Sequence, residues 1–233
     1  MAGPGFTWGE GDTGIVADLD ADSDVLLIAF GGIAGGLALP FEFVRSTADL
    51  SVKTIFVRDL MQSWYHRGAI DVGDDVDSVA SHLSELVAAS GAQRVVAVGN
   101  SAGGYAALLF ACLTEIHDAH AFSPQTFITP DLRARHGDHR WEPQLSELAR
   151  SGCLDSRYAD LRAVLRGSAG TAYHVYYSAG EPLDVAHAEH LDGLDAVTLH
   201  PFEVGGHKLI KGLRDSGRLR SLLENVLRQP ARS

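Results

Sequence analysis

Short apolar runs alternate with stretches of helical spacing along most of the chain. Val25 to Phe30 and Arg94 to Gly99 are apolar nearly throughout, and Lys53 to Arg58 has an apolar centre in Ile55, Phe56 and Val57, as strands buried on both faces of a parallel sheet should be. Thr13 to Leu19, His120 to Ser123, Ala172 to Ser178 and Ala196 to Phe202 complete the predicted strands. Between them, Asp77 to Ser90 places Val79, Leu83, Leu86 and Val87 on one helical face. Tyr105 to Leu113 and Leu209 to Leu227 repeat that spacing. Strands alternating with helices predict a three-layer α/β fold, with a mostly parallel central sheet and helices on both faces.

The alternation breaks between Gln125 and Gly170, where Pro130, Arg133, Arg135, His136, His139 and Trp141 precede two helical stretches. Residues 125–170 therefore read as a small cap inserted over the sheet edge where a substrate would enter. At 233 residues the chain is long enough for one sizeable core, so a single domain over 1–233 is expected. The uncharged run from Val25 to Phe41 approaches the length of a membrane span. Gly31, Gly32, Gly35, Gly36 and Pro40 interrupt it, and it reads as a buried strand followed by a glycine-rich turn.

Charge narrows the partners. Nineteen basic against thirty acidic residues leave a net charge of -11, which repels nucleic acid and anionic membrane surfaces. Cys112 and Cys153 are too few for a disulfide framework and read as small buried hydrophobes, which fits a reducing cytoplasm. The first residues, MAGPGFTWGEGDTG, lack the basic and apolar regions of a secretory signal.

The strongest chemical signal is Val95-Val96-Ala97-Val98-Gly99-Asn100-Ser101-Ala102-Gly103-Gly104-Tyr105, an apolar strand running through G-x-S-x-G into an alanine-rich helical stretch. A serine at so sharp a strand-to-helix turn needs strained backbone. Glycines two residues before and after it remove the Cβ atoms that would clash. Such a turn lifts the Ser101 hydroxyl above the sheet edge, and the helix N-terminus aims its amides at a developing oxyanion, Ala102 first. An ordinary glycine-rich turn is the competing explanation.

On these residues the chain resembles the α/β-hydrolase superfamily from about Val25 to Leu227. The stretches RDLMQSWYHRG, GNSAGGYAALLF and AFSPQTF are also similar to a group of compact bacterial hydrolases. The resemblance implies Ser101 as nucleophile, followed along the chain by an acid and then a histidine. After the strand ending at Ser178 comes Ala179-Gly180-Glu181-Pro182-Leu183-Asp184. Asp184 matches the superfamily's acid better than Glu181, although Asp184 could instead cap a helix from Val185 to Leu191. His207 follows the last predicted strand in a loop and precedes the final helix, as the base should. His200 falls within a strand, and His187 and His190 on the helix after the acid. The resemblance places the second oxyanion amide after the early strand, at Gly32 or alternatively Ile33, with Phe30-Gly31 standing where many members have His-Gly.

Other signals are weaker. Asp18, Asp20 and Asp22 alternate as in a calcium loop, but Ser23 and Ala29 stand where an EF-hand needs glycine and glutamate. The pairs His117/His120, His136/His139 and His187/His190 lack any HExxH or CxxC context, so no metal is expected. No nucleotide-binding glycine pattern occurs, so no cofactor is expected either. Trp64, Tyr65 and Tyr105 read as core more readily than as pocket lining. The combined expectation is a serine esterase or thioesterase acting on a small acyl substrate, free or carrier-bound. Its rivals are an acyltransferase, cyclase or lyase using the same residues, and a non-catalytic binding protein on the same fold.

Overall fold

A computed structural model describes residues 13–33, 41–203 and 209–229. Seven strands form one sheet: β1 (Ile15–Asp18), β2 (Val25–Phe30), β3 (Lys53–Val57), β4 (Arg94–Asn100), β5 (Asp118–Phe122), β6 (Ala172–Ser178) and β7 (Val197–Phe202). Their spatial order is β1-β3-β2-β4-β5-β6-β7. Only β1 runs antiparallel to its neighbour, β3. The expected three-layer architecture is therefore present.

Alternation along the strands divides the core in two. Leu26, Ile28 and Phe30 face one side, with Val95 and Ala97 of β4. There they meet α2 (Val76–Ser90), whose Val79, Leu83 and Val87 form a helical stripe, and α3 (Ala102–Leu113). Leu27, Ala29, Val96 and Val98 face the other side. They pack with Leu209 and Leu213 of α8 (Leu209–Asp215) and with Leu219, Leu223, Val226 and Leu227 of α9 (Arg218–Arg228). The final helical stretch is thus two helices rather than one: Gly217 takes φ 72° between them, a left-handed conformation that ends one helix and starts the next. On the side of α8 and α9, Arg94 and Asp118 form a buried ion pair at 2.7 Å, and Arg94 also donates to the carbonyl of Val226 in α9.

Trp64, Tyr65 and Tyr105 are wholly buried core residues. Cys112 and Cys153 are free and half-buried, more open than the sequence reading supposed. No helix among the described residues is long and apolar enough to cross a membrane. The connection between β5 and β6 carries α4 (Pro130–His136), α5 (Glu142–Arg150) and α6 (Leu161–Leu165), and α7 (Pro182–Glu189) follows β6.

Candidate active site

Ser101 stands between β4 and α3 with φ 55° and ψ -117°, a conformation that costs a non-glycine residue about 1–3 kcal/mol. Its side chain makes no capping bond to α3, although serine at a helix start commonly does. Its amide donates to the carbonyl of Phe122 and its carbonyl accepts from Tyr105, so neighbouring elements hold the turn on both sides.

The glycines around it are required by contact. A Cβ on Gly99 would overlap the carbonyl of Gly103, and one on Gly103 would overlap the carbonyl of Phe30. Gly99→Ala and Gly103→Ala are each expected to destabilise the protein by more than about 2 kcal/mol, because backbone rather than a flexible side chain must give way. Gly212→Ala in α8, where a Cβ meets nothing within 4 Å, should be neutral or stabilising by up to about 1 kcal/mol. Thermal and urea melts of the three variants check the contrast.

The turn after β2 lies against the Ser101 turn. A Cβ built on Gly32 would sit 2.8 Å from the carbonyl oxygen of Asn100 and 3.6 Å from the amide of Gly103. Gly31 donates its amide to Val57 and accepts from the Tyr65 hydroxyl at 3.0 Å, so its N–H is committed to the sheet. Gly32 donates instead to Glu42 Oε1 at 3.2 Å. Burial raises the pKa of Glu42 despite this bond and the nearby Arg214. Ala102 is the first residue of α3 and is buried. Beside these residues a cleft of about 780 Å³ is lined by Phe41, Glu42, Val44, Asn100, Ile210 and Arg214, among others.

Asp184 is 2% exposed, in the first turn of α7. It does not cap that helix. The helix begins at Pro182 and Glu181 occupies the cap position, without a side-chain bond, which corrects the start inferred from sequence. Arg140, between α4 and α5, reaches Asp184 Oδ1 through Nη1 at 3.3 Å and grips Asp138 through Nε and Nη2, both at 2.9 Å. Sequence reading missed Arg140, Asp138 and Glu42 because nothing local ties them to Ser101 or Asp184. His207 lies outside the described residues. In the sequence it falls between β7 and α8, and Ile210 near the start of α8 lines the cleft beside Asn100.

His187 is buried on α7, where its Nδ1 accepts from the Thr126 amide and its Nε2 meets Asp138. His190 bonds Asp160, and His200 lies in β7, so all three are engaged in packing. Asp118, His120 and His174 could each offer a ligand atom to a metal, at the end of β5 remote from Ser101. Asp118 Oδ2 already takes two bonds from Arg94, and the two imidazoles stack within 8° of parallel at 4.6 Å. An ion cannot lie in both ring planes, and the group is better understood as core.

No family model matches the chain, and no curated protein matches it. Solved structures do resemble it. The capsule O-acetyltransferase of Neisseria meningitidis serogroup A superposes with a TM-score of 0.67 at 15% identity, over 88% of this chain and 89% of that one. A lipase-esterase related protein from Clostridium acetobutylicum ATCC 824 gives 0.59 at 14% identity, over 92% and 99%. An α/β hydrolase enzyme from the metagenome of sediments of the Mar Chica lagoon, Morocco, gives 0.57 at 18% identity, over 93% and 94%. With β4 central, the Ser101 turn at its end and Asp184 two strands away after β6, the chain has the α/β-hydrolase fold.

Proposed function

We propose that the protein is a serine hydrolase that cleaves small esters or thioesters through an acyl-Ser101 intermediate. The observation that carries this reading is the positive-φ serine at a strand-to-helix turn, framed by two glycines that admit no side chain. Ser101 Oγ attacks the acyl carbon while its proton passes to His207, and Asp184 orients the histidine and stabilises its imidazolium form. The amides of Ala102 and Gly32 stabilise the tetrahedral oxyanion. To use Gly32, the substrate oxygen takes the place of Glu42 Oε1 on its amide. The leaving alcohol or thiol departs with the proton from His207. Water then attacks the acyl-serine, assisted by the same base, and releases the acid.

The cleft beside Asn100 and the segment over residues 125–170, read as a cap, favour a small substrate over a polymer. A panel of p-nitrophenyl esters and acyl thioesters of increasing chain length tests this, with short chains expected to turn over fastest. Equal inertness of every member would count against hydrolysis.

Acyl transfer is the second reading, and the likeness to an O-acetyltransferase, one structure of which holds CoA, supports it. The same acyl-serine would then pass its acyl group to an alcohol or amine. Product analysis with acetyl-CoA, with and without added glycerol or an amine, separates the two. Free acetate alone indicates hydrolysis, and an acetylated acceptor indicates transfer.

A further inference from the structure

Asp184 is held by a buried network that the proposed chemistry does not use. Arg140 spends its planar fork on Asp138, with Nε and Nη2 each 2.9 Å from a different carboxylate oxygen, and only Nη1 reaches Asp184. The fork is itself fixed. The Arg140 amide donates to Asp138 Oδ1, and its carbonyl accepts from Arg133 at 2.8 Å. Asp138 Oδ2 also meets His187 Nε2 at 3.0 Å, and the hydrogen bond donated by the Thr126 amide to His187 Nδ1 sets the tautomer in which Nε2 donates. Burial pushes the pKa of His187 down to about 4, so it is neutral near pH 7. Burial opposes ionisation of Asp138, but the bonds from His187 and Arg140 hold its carboxyl well below the usual range. Two carboxylates thus share one guanidinium, beside a neutral imidazole.

The segment between β5 and β6 therefore delivers a fixed positive charge to Asp184. We propose that Arg140 is a positioning residue that holds the Asp184 carboxylate and offsets part of its charge, keeping the imidazole paired with Asp184 unprotonated to lower pH. This rests on the reading of Asp184 as the acid of the triad. The sign follows from electrostatics: Asp184 favours the imidazolium, whereas the Arg140 cation bonded to Asp184 disfavours it. Losing that cation raises the imidazole pKa, and the base is protonated, hence inactive, over a wider acidic range.

The test is the pH dependence of the rate at which a fluorophosphonate labels Ser101, with a melt recorded for every protein. Arg140→Gln should move the acid limb up by about half a unit to one unit, a loss of roughly three- to tenfold below it, with the alkaline plateau little changed. Arg140→Lys, which keeps the charge without the fork, should leave the limb within about 0.3 unit of wild type. Asp138→Asn removes the competing carboxylate while the guanidinium keeps its bond to Asp184, so it should move the limb the opposite way from Arg140→Gln, down by up to about half a unit. It decides the matter if Arg140→Gln fails to fold. Absence of label on wild-type Ser101, or unslowed labelling of Asp184→Asn, would overturn the triad reading. If those two controls behave as expected but the Arg140→Gln and Asp138→Asn limbs coincide with wild type, the triad stands and the proposed role of Arg140 fails.

Discussion

Replacing Ser101 by alanine is expected to lower kcat by roughly 10³-fold or more while the melting temperature stays close to that of wild type. The hydroxyl makes no cap to α3, whereas the amide and carbonyl of Ser101 hold the turn through Phe122 and Tyr105, and alanine keeps both. Alanine also inherits the positive φ, so the backbone strain is common to the two proteins and cancels in their comparison. Activity and stability should therefore separate. A variant that loses both together would show that the serine is needed for folding, and the turn would revert to an ordinary glycine-rich connection.

The second large effect is expected at the acid. In the proposed triad Asp184 accepts the Nδ1 proton of His207 and leaves Nε2 free as base, whereas an amide offers a donor and favours the wrong tautomer. Asp184→Asn should cut kcat by up to about 10⁴-fold with little change in KM, and Glu181→Gln by less than about tenfold. The positions support this asymmetry, since Asp184 is buried and gripped by Arg140 while Glu181 stands half-exposed at the start of α7. Asparagine keeps an acceptor oxygen for Arg140, so the folding cost should be modest, and melts recorded beside the kinetics check it. A loss in the double mutant beyond the product of the singles would reveal that one carboxylate substitutes for the other. If Glu181→Gln is instead the crippling change and Asp184→Asn nearly silent, Asp184 is a structural partner of Arg140 and not part of the triad.

What could be read from the sequence was what is decided locally. β2 and β6 match their predicted bounds because their composition answers directly to burial within the sheet. β5 begins two residues earlier than predicted, at Asp118, because a charged residue can enter a buried strand only with a partner. That partner, Arg94, lies 24 residues away. The start of α7 was misplaced although its signal was present: Pro182 suits the first turn of a helix, which puts Asp184 inside the helix rather than at its cap. The Ser101 turn was legible because strand, glycines and helix are contiguous. The surroundings of Asp184 were not, since its bond to Arg140 spans 44 residues and that of Thr126 to His187 spans 61. Glu42, ten residues from Gly32, carried no motif that linked it to an oxyanion amide.

The central claim is that Ser101 is an activated nucleophile, and covalent labelling tests it most directly. A triad-activated serine attacks a fluorophosphonate at phosphorus as it would an acyl carbon, expelling fluoride and leaving a stable adduct on Oγ. Intact-protein mass spectra should show one adduct per chain, peptide spectra should place it on Ser101, and Ser101→Ala should take up none. An unmodified protein, or an adduct mapped to any other residue, would contradict the account.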